Sequence, residues 1–273
     1  MSIITISRGS FSGGQALAEQ VAQRLGYRCL SREILVETAA QYGVPEPALA
    51  QFLDKRPGFW ERITQSRRLY LIFLQAVMCE LVQQGQVVYH GQAGHLLLKG
   101  ISHVLKVRLI APLAYRITAV MAQEGLSRDA ALQSIQRVDE ERLRRMRELF
   151  NADWRDPALY DIVLNLEHMS LETAVEAVLY MGQHPEYQPT PASVKALHDL
   201  SLSCRVKAAV AAHPVTLGIE VEVRADGDVV WVTGVIDAAE LEEEIMRIAR
   251  TVPGVKEAIP ALEYRPVFPY PGV

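Results

Sequence analysis

The stretch Gly9-Ser10-Phe11-Ser12-Gly13-Gly14-Gln15-Ala16 holds the residues with the plainest chemistry in this chain. A glycine-rich loop that opens a helix presents unpaired backbone N–H groups and the positive end of the helix dipole, and both suit a phosphate. Gly9 and Gly14 have the GxxxxG spacing of a phosphate-binding loop. That motif continues with Lys and then Ser or Thr. This chain has Gln15 and Ala16 instead, without the cation for the phosphates or the hydroxyl for Mg2+. The backbone amides remain able to bind phosphate; the competing reading is a plain flexible turn. A second group, Arg137, Arg142, Arg144, Arg145 and Arg147, crowds one segment. Such cations stabilise a transferring phosphoryl group and can close a site against water. Yet Glu140 with Arg144 and Glu141 with Arg145 equally make the i,i+4 pairs of a solvated helix. Arg116 has the same two readings. His90 and His95 flank Gly91-Gln92-Ala93-Gly94 at the end of an apolar strand, where ligand sites of open sheets lie. With no third ligand in view, the reading favours hydrogen-bonded structural histidines over a metal centre.

Those residues need elements to hold them. Ile3 to Ser7 is β-branched and runs into the glycines, as a buried strand does. Leu17, Val21 and Leu25 recur every fourth residue and Gly26 follows, so a helix is expected over 16–25. Gln86 to His90, Val104 to Ile110 and Tyr160 to Leu164 read as further strands. Helices are expected from Pro112 to Gln123, from a Ser127 cap to about Phe150, and from a Ser170 cap to near Met181. Leu69 to Val82 reads as a buried core helix, because Gln75 and Glu80 make it short and polar for a membrane span of roughly 20 residues. Strands alternating with helices predict an α/β fold, a mostly parallel sheet with helices on both faces.

Pro185, Pro189 and Pro191 favour extended backbone and mark a boundary. The expected division is a nucleotide-binding domain at 1–183, a Pro-rich linker at 184–192, and a small α-β-β-α-β domain at 193–273. In its first strand Ile219, Val221 and Val223 alternate with Glu220, Glu222 and Arg224, so one sheet face is buried and the other wet. Trp231 is expected in its core.

The chain has 273 residues, 49% hydrophobic and 22% charged, with a formal net charge of −4. This is the composition of a folded globular protein. It lacks the basic field that nucleic-acid binding demands, so nucleic acid is not expected as a partner. Cys29, Cys79 and Cys204 form no CxxC pair, and the N-terminus has no basic segment followed by an apolar one. A cytoplasmic setting is expected.

Ile4-Thr5-Ile6-Ser7-Arg8 followed by Ser12-Gly13-Gly14 resembles the start of the cytidylate kinase-like family. The resemblance continues through Val87 to Gly94, Val107 to Leu113 with Arg116, Asp139 to Arg142, and Asp156 to Asn165, in that order. It implies a fold like that of P-loop kinases, ATP and Mg2+ as cofactors, and phosphoryl transfer to CMP or another nucleoside monophosphate. It implies that Arg8, Gly9, Ser10, Phe11, Ser12, Gly13, Gly14, Gln15 and Ala16 hold the donor nucleotide. Ser31, Gly91, Gln92, Asp139 and Arg142 would face the acceptor, and Arg116, Arg142 and Arg145 would cover the transferring group. The family often carries arginine at the positions of Gln15 and Gln92 and an acidic residue at that of Ser31. With those charges missing, the alternative is a catalytically weak or inactive nucleotide-responsive regulator.

The segment from about Ser193 to Tyr264, with Asp226-Gly227-Asp228-Val229-Val230-Trp231-Val232-Thr233-Gly234 and Val252-Pro253-Gly254-Val255, resembles a BON domain. That implies a non-catalytic module for a protein, a small ligand or a membrane surface, or one that makes a homo-oligomer. It would carry the regulator's signal. A third reading makes this module the functional part and the first domain its scaffold.

Overall fold

A computed structural model describes residues 2–31, 33, 60–91 and 93–265, side chains 60–67 excepted. The chain divides into two compact units, Met1–Leu35 with Leu81–Val194, and Val36–Glu80 with Lys195–Val273.

The first unit is built on a five-stranded parallel sheet: β1 (Ile3–Arg8), β2 (Arg28–Ser31), β3 (Val87–His90), β4 (Val104–Ile110) and β5 (Ile162–Asn165), in the order β2-β3-β1-β4-β5. β1 lies in the middle because its run of β-branched residues can be buried on both faces, as central parallel strands require. Its register is Ile4 against Val88 on one side and against Leu105 on the other. α1 (Gly14–Leu25) begins two residues earlier than its periodicity suggests, and Gly26 closes it in left-handed conformation at φ 68. α2 (Trp60–Val82), whose residues up to Glu80 belong to the second unit, contains the expected apolar stretch and starts well before it. α3 (Gly94–Leu97) is a single turn after β3.

α4 (Leu113–Glu124) and α5 (Arg128–Phe150) follow β4, and Ser127 caps α5 by accepting from the Ala130 amide. α6 (Leu171–Gln183) is capped by Ser170 in the same way. Leu17 and Val21 of α1 and Val175 and Val178 of α6 pack with Ile4, Ile6, Val88 and Val107 on one sheet face. These fully buried side chains are each worth about 1.5–3 kcal/mol against exposure. β2 is a short edge strand that the sequence pattern does not announce. After α6, Pro185–Tyr187 forms a 3-10 turn and Pro191 opens a helix, where its missing N–H costs nothing.

In the second unit α7 (Pro191–Ala212; its residues from Lys195 on belong to this unit), β6 (Val221–Asp226), β7 (Val229–Ile236), α8 (Ala239–Thr251) and β8 (Glu257–Tyr264) form the expected α-β-β-α-β order. β7 is central, antiparallel to β6 and parallel to β8. Val230 and Val232 are buried with Leu202, Val206, Ile245 and Met246. The strand's alternation therefore turns Trp231 to the other face, where it is half-buried and carries the Arg224 guanidinium 5.9 Å from its ring centroid. Trp231 is not in the core as the sequence suggested: its size points inward, but strand parity decides. Among the described residues no helix is long and apolar enough to cross a membrane.

Candidate active site

From β1 the chain goes to one side for β2 and β3 and to the other for β4 and β5, so the carboxyl end of β1 is the point where the winding reverses. Ligands of open α/β sheets bind there. The loop Gly9 to Gly13 leaves that end with left-handed backbone at Phe11 (φ 56) and Gly13 (φ 82). The buried Ser12 hydroxyl ties it together by donating to the Gly9 carbonyl at 3.0 Å. Gly13, the residue before α1, offers no side-chain cap. Inside the helix the Leu17 amide is the first to find a carbonyl, that of Gly13, at 3.0 Å. The first-turn amides of Gly14, Gln15 and Ala16 have no intrahelical acceptor, the arrangement that suits an anion. Gly14 has no room for a side chain, since an added Cβ would lie 2.6 Å from the Cβ of Arg8.

Residues from α4 and α5 hold this loop. Arg116 donates from Nε to the Ser10 carbonyl and from Nη2 to an Asp139 oxygen, both at 2.7 Å. The Ser10 hydroxyl donates to the other Asp139 oxygen at 2.9 Å. Arg142 Nη1 donates to the Arg8 carbonyl at 2.7 Å. Arg116, placed by resemblance over the transferring group, and Asp139, placed at the acceptor, are thus an ion pair on the loop. Gln15 donates to Glu19 at 2.9 Å on the exposed side of α1. Arg145 is half-buried on α5.

Two concave regions meet here. A groove of about 580 Å3 is lined by Arg8, Ser10, Phe11, Gly13, Gln15 and Ala16 from the loop and by Glu19, Tyr115, Ala119, Gln123, Val138 and Arg142. A smaller cavity of about 150 Å3 lies past the ends of β1 and β3, lined by Ser7, Arg8, Glu33, His90, Gly91, Ala93, Arg142, Met146 and Trp154. Arg8 and Arg142 line both. Arg145 lines neither. Of the residues expected at the acceptor, Gly91 and Arg142 line the cavity, Asp139 is on the loop, and Ser31 ends β2 opposite His90. Gln92 lies outside the described residues.

Behind the cavity sits a buried cation. Arg108 of β4 pairs in register with Ser7, donates to the Trp154 carbonyl, and lies 4.6 Å from the Trp154 ring centroid and 5.6 Å from that of Tyr160. Burial lowers its pKa from the usual arginine value. His95 stacks on Tyr160 with ring centroids 4.6 Å apart. Burial, with the Lys106 and Arg108 charges behind it, lowers the His95 pKa to about 4. Burial first, then Arg8, lowers that of His90 as well. Both imidazoles are neutral at pH 7. Neither fits the expectation of a hydrogen-bonded structural histidine at every atom: His90 Nδ1 and His95 Nε2 are buried without a partner among the described residues. Sequence reading singled out neither Trp154 nor Glu33. A sign of the buried cation was available in Arg108, a charge between Val107 and Leu109 in a strand whose other residues are apolar apart from Lys106.

Residues 3–168 match the model of the cytidylate kinase-like family, and residues 198–266 match that of the BON domain. The chain is 26% identical over 177 residues to a cytidylate kinase of Methanopyrus kandleri, covering 62% of this chain and 86% of that protein. It is 27% identical over 182 residues to a cytidylate kinase of Ignicoccus hospitalis, covering 66% and 99%. The crystal structure of an uncharacterized protein from Eubacterium ventriosum superposes with a TM-score of 0.54 at 18% identity, over 67% of this chain and 98% of that one. At that identity the likeness speaks for the fold.

Proposed function

The chain belongs to the cytidylate kinase-like family, and on that premise we propose that its first domain, residues 1–183, is a phosphotransferase moving the γ-phosphoryl group of ATP to a nucleoside monophosphate. The observation that carries this reading is the pair of adjoining recesses with Arg8 and Arg142 in the wall of both. In phosphoryl transfer the protein's work is positioning and charge neutralisation, and shared cations between donor and acceptor supply both. The donor's phosphates would rest on the amides of Ser12 to Gln15 in the larger groove. The acceptor's phosphate oxygen would attack from the smaller cavity, forming the new P–O bond as the bond to ADP breaks. Arg116 and Asp139 would keep Ser10 and the loop in place. The cytidylate kinases to which this chain is similar favour CMP as the acceptor.

The donor groove suits phosphates better than it suits Mg2+. Position 16 has no hydroxyl, and the carboxylate among the groove-lining residues is that of Glu19, which accepts from Gln15. The BON-like residues 193–273, beyond a linker at 184–192, would bind a protein, a small ligand or a membrane surface.

Two observations favour the regulator reading: Arg116 already spends its guanidinium on Ser10 and Asp139, and the motif's lysine is replaced by Gln15. A coupled assay of ADP formation with ATP, Mg2+ and each nucleoside monophosphate, beside calorimetry of ATP and CMP, separates the two. Turnover supports the phosphotransferase, and binding without turnover supports the regulator. If neither nucleotide binds at millimolar concentration, both readings fail.

A further inference from the structure

A tyrosine hydroxyl stands at the glycine loop, where the motif's lysine is missing. Tyr115 lies in the first turn of α4 beside Arg116, and it lines the larger groove together with Gly13, Gln15 and Ala16. Its hydroxyl oxygen is 3.5 Å from the point that a Cβ on Gly13 would occupy. Gly13 immediately precedes α1, so the hydroxyl is beside the helix end at which the Gly14, Gln15 and Ala16 amides have no intrahelical acceptor. The backbone of Gly13 is left-handed at φ 82, which keeps a side chain out of the space between. Contacts on both sides of Tyr115 fix α4 to the loop. Arg116 donates to the Ser10 carbonyl at 2.7 Å, and Phe11 packs against Ile117, Val120, Ala131 and Ile135. Tyr115 is therefore carried at a set distance from the helix end, as a preorganised ligand contact should be. Other polar side chains near the loop are already committed: Arg116 to Ser10 and Asp139, and Gln15 to Glu19. The Tyr115 hydroxyl makes no hydrogen bond among the described residues. A phenol O–H can donate to an anionic oxygen, and such charge-assisted bonds are the stronger kind.

We propose that the Tyr115 hydroxyl donates to a phosphate oxygen of the donor nucleotide seated on the α1 amides, taking over the side-chain contact that the loop loses with Gln15. The proposal rests on the phosphotransferase reading and adds to it a residue that holds the donor. A hydroxyl places a phosphate but brings it no positive charge, so charge neutralisation in the transfer falls to Arg8 and Arg142. A contact made equally in the bound nucleotide and in the transition state lowers KM and leaves kcat unchanged. Tyr115 therefore acts on donor affinity and not on the chemical step.

The test compares the full-length protein with Tyr115→Phe, by calorimetry with ATP and with tripolyphosphate and by the rate of ADP formation. The change removes one oxygen from a side chain that is 44% exposed, so thermal unfolding should match the wild type. ATP and tripolyphosphate should each bind about tenfold more weakly, the loss expected for one hydrogen bond to a charged group. KM for ATP should rise by a similar factor while kcat holds within about twofold, a split that a general disturbance of the fold would not give. Gln15→Lys should recover most of the lost affinity in the Tyr115→Phe background, because both side chains serve the same phosphates and their effects should not add. If Tyr115→Phe binds ATP as well as the wild type does, the inference is overturned and the phosphotransferase reading stands. If it weakens ATP and leaves tripolyphosphate unchanged, the hydroxyl meets the nucleoside and the inference is likewise overturned. If the wild type does not bind ATP, both fall.

Discussion

His95 should make the fold acid-sensitive between pH 6.5 and 4, a window that opens well above the pH at which carboxylates begin to titrate. Its side chain is 4% exposed and stacked on Tyr160, with Arg108 and Lys106 supplying like charge. A histidine whose pKa falls from 6.5 to about 4 on folding leaves the unfolded chain as the better proton acceptor. Stability from this group is therefore complete above pH 6.5, declines as pH drops toward 4, and changes little below that. Between pH 7 and pH 4.5 the proton-binding difference integrates to about 2 kcal/mol at 25 °C. His90 and His103, also lowered by burial, push in the same direction, so the wild type should lose more than this. His95→Phe keeps a ring against Tyr160 and removes the titration. Urea denaturation of both proteins at pH 7 and pH 4.5 isolates the His95 share. The variant should lose about 2 kcal/mol less than the wild type over that interval. Equal losses in the two proteins, or an imidazole resonance of His95 that titrates near 6.5, would refute the argument.

Gln15→Lys restores a cation at the phosphate loop and should raise the ADP-forming rate about tenfold or more if its absence limits transfer. Glu19, four residues on, will compete for that lysine, so Gln15→Lys with Glu19→Gln should exceed the single change in the same assay. Gly14→Ala places a Cβ within 2.6 Å of the Arg8 Cβ and must push Arg8 out of the wall of both recesses. A cost of about 1–3 kcal/mol in thermal or urea unfolding is expected, with weaker binding of ATP and CMP together. Arg116→Ala removes three contacts on Ser10 and Asp139 at once. It leaves the half-buried Asp139 carboxylate with the Ser10 hydroxyl alone, and urea unfolding should report a loss of about 2 kcal/mol.

Much of this molecule is readable one residue after another. β1 entering a glycine loop, α1 closing at Gly26, and the serine caps at Ser127 and Ser170 depend on neighbours within a few positions. Local sterics and local hydrogen bonds therefore specify them. β4 runs from Val104 to Ile110 as its apolar run implies, and the alternation in β6 tells which of its faces is dry. The glycine loop was visible for the same reason, since residue type and spacing are local facts, whereas the expectation for Arg142 came from the resemblance.

What the tertiary structure decided is held by contacts between distant positions. Arg116 reaches Ser10 across 106 residues and Ser10 reaches Asp139 across 129, so no window of sequence reveals that these charges are spent on the loop. The cavity exists because the parallel register sets Ile6 beside His90 and Ser7 beside Arg108, bringing Trp154 and Glu33 to the strand ends. Parity along β7, fixed by pairing with β6 and β8, turned Trp231 outward despite its size. Register is set by hydrogen bonds between strands and by the packing of whole faces. The sequence by itself therefore determined that a glycine loop would open a helix at the end of β1, and the packing determined which side chains stand around it.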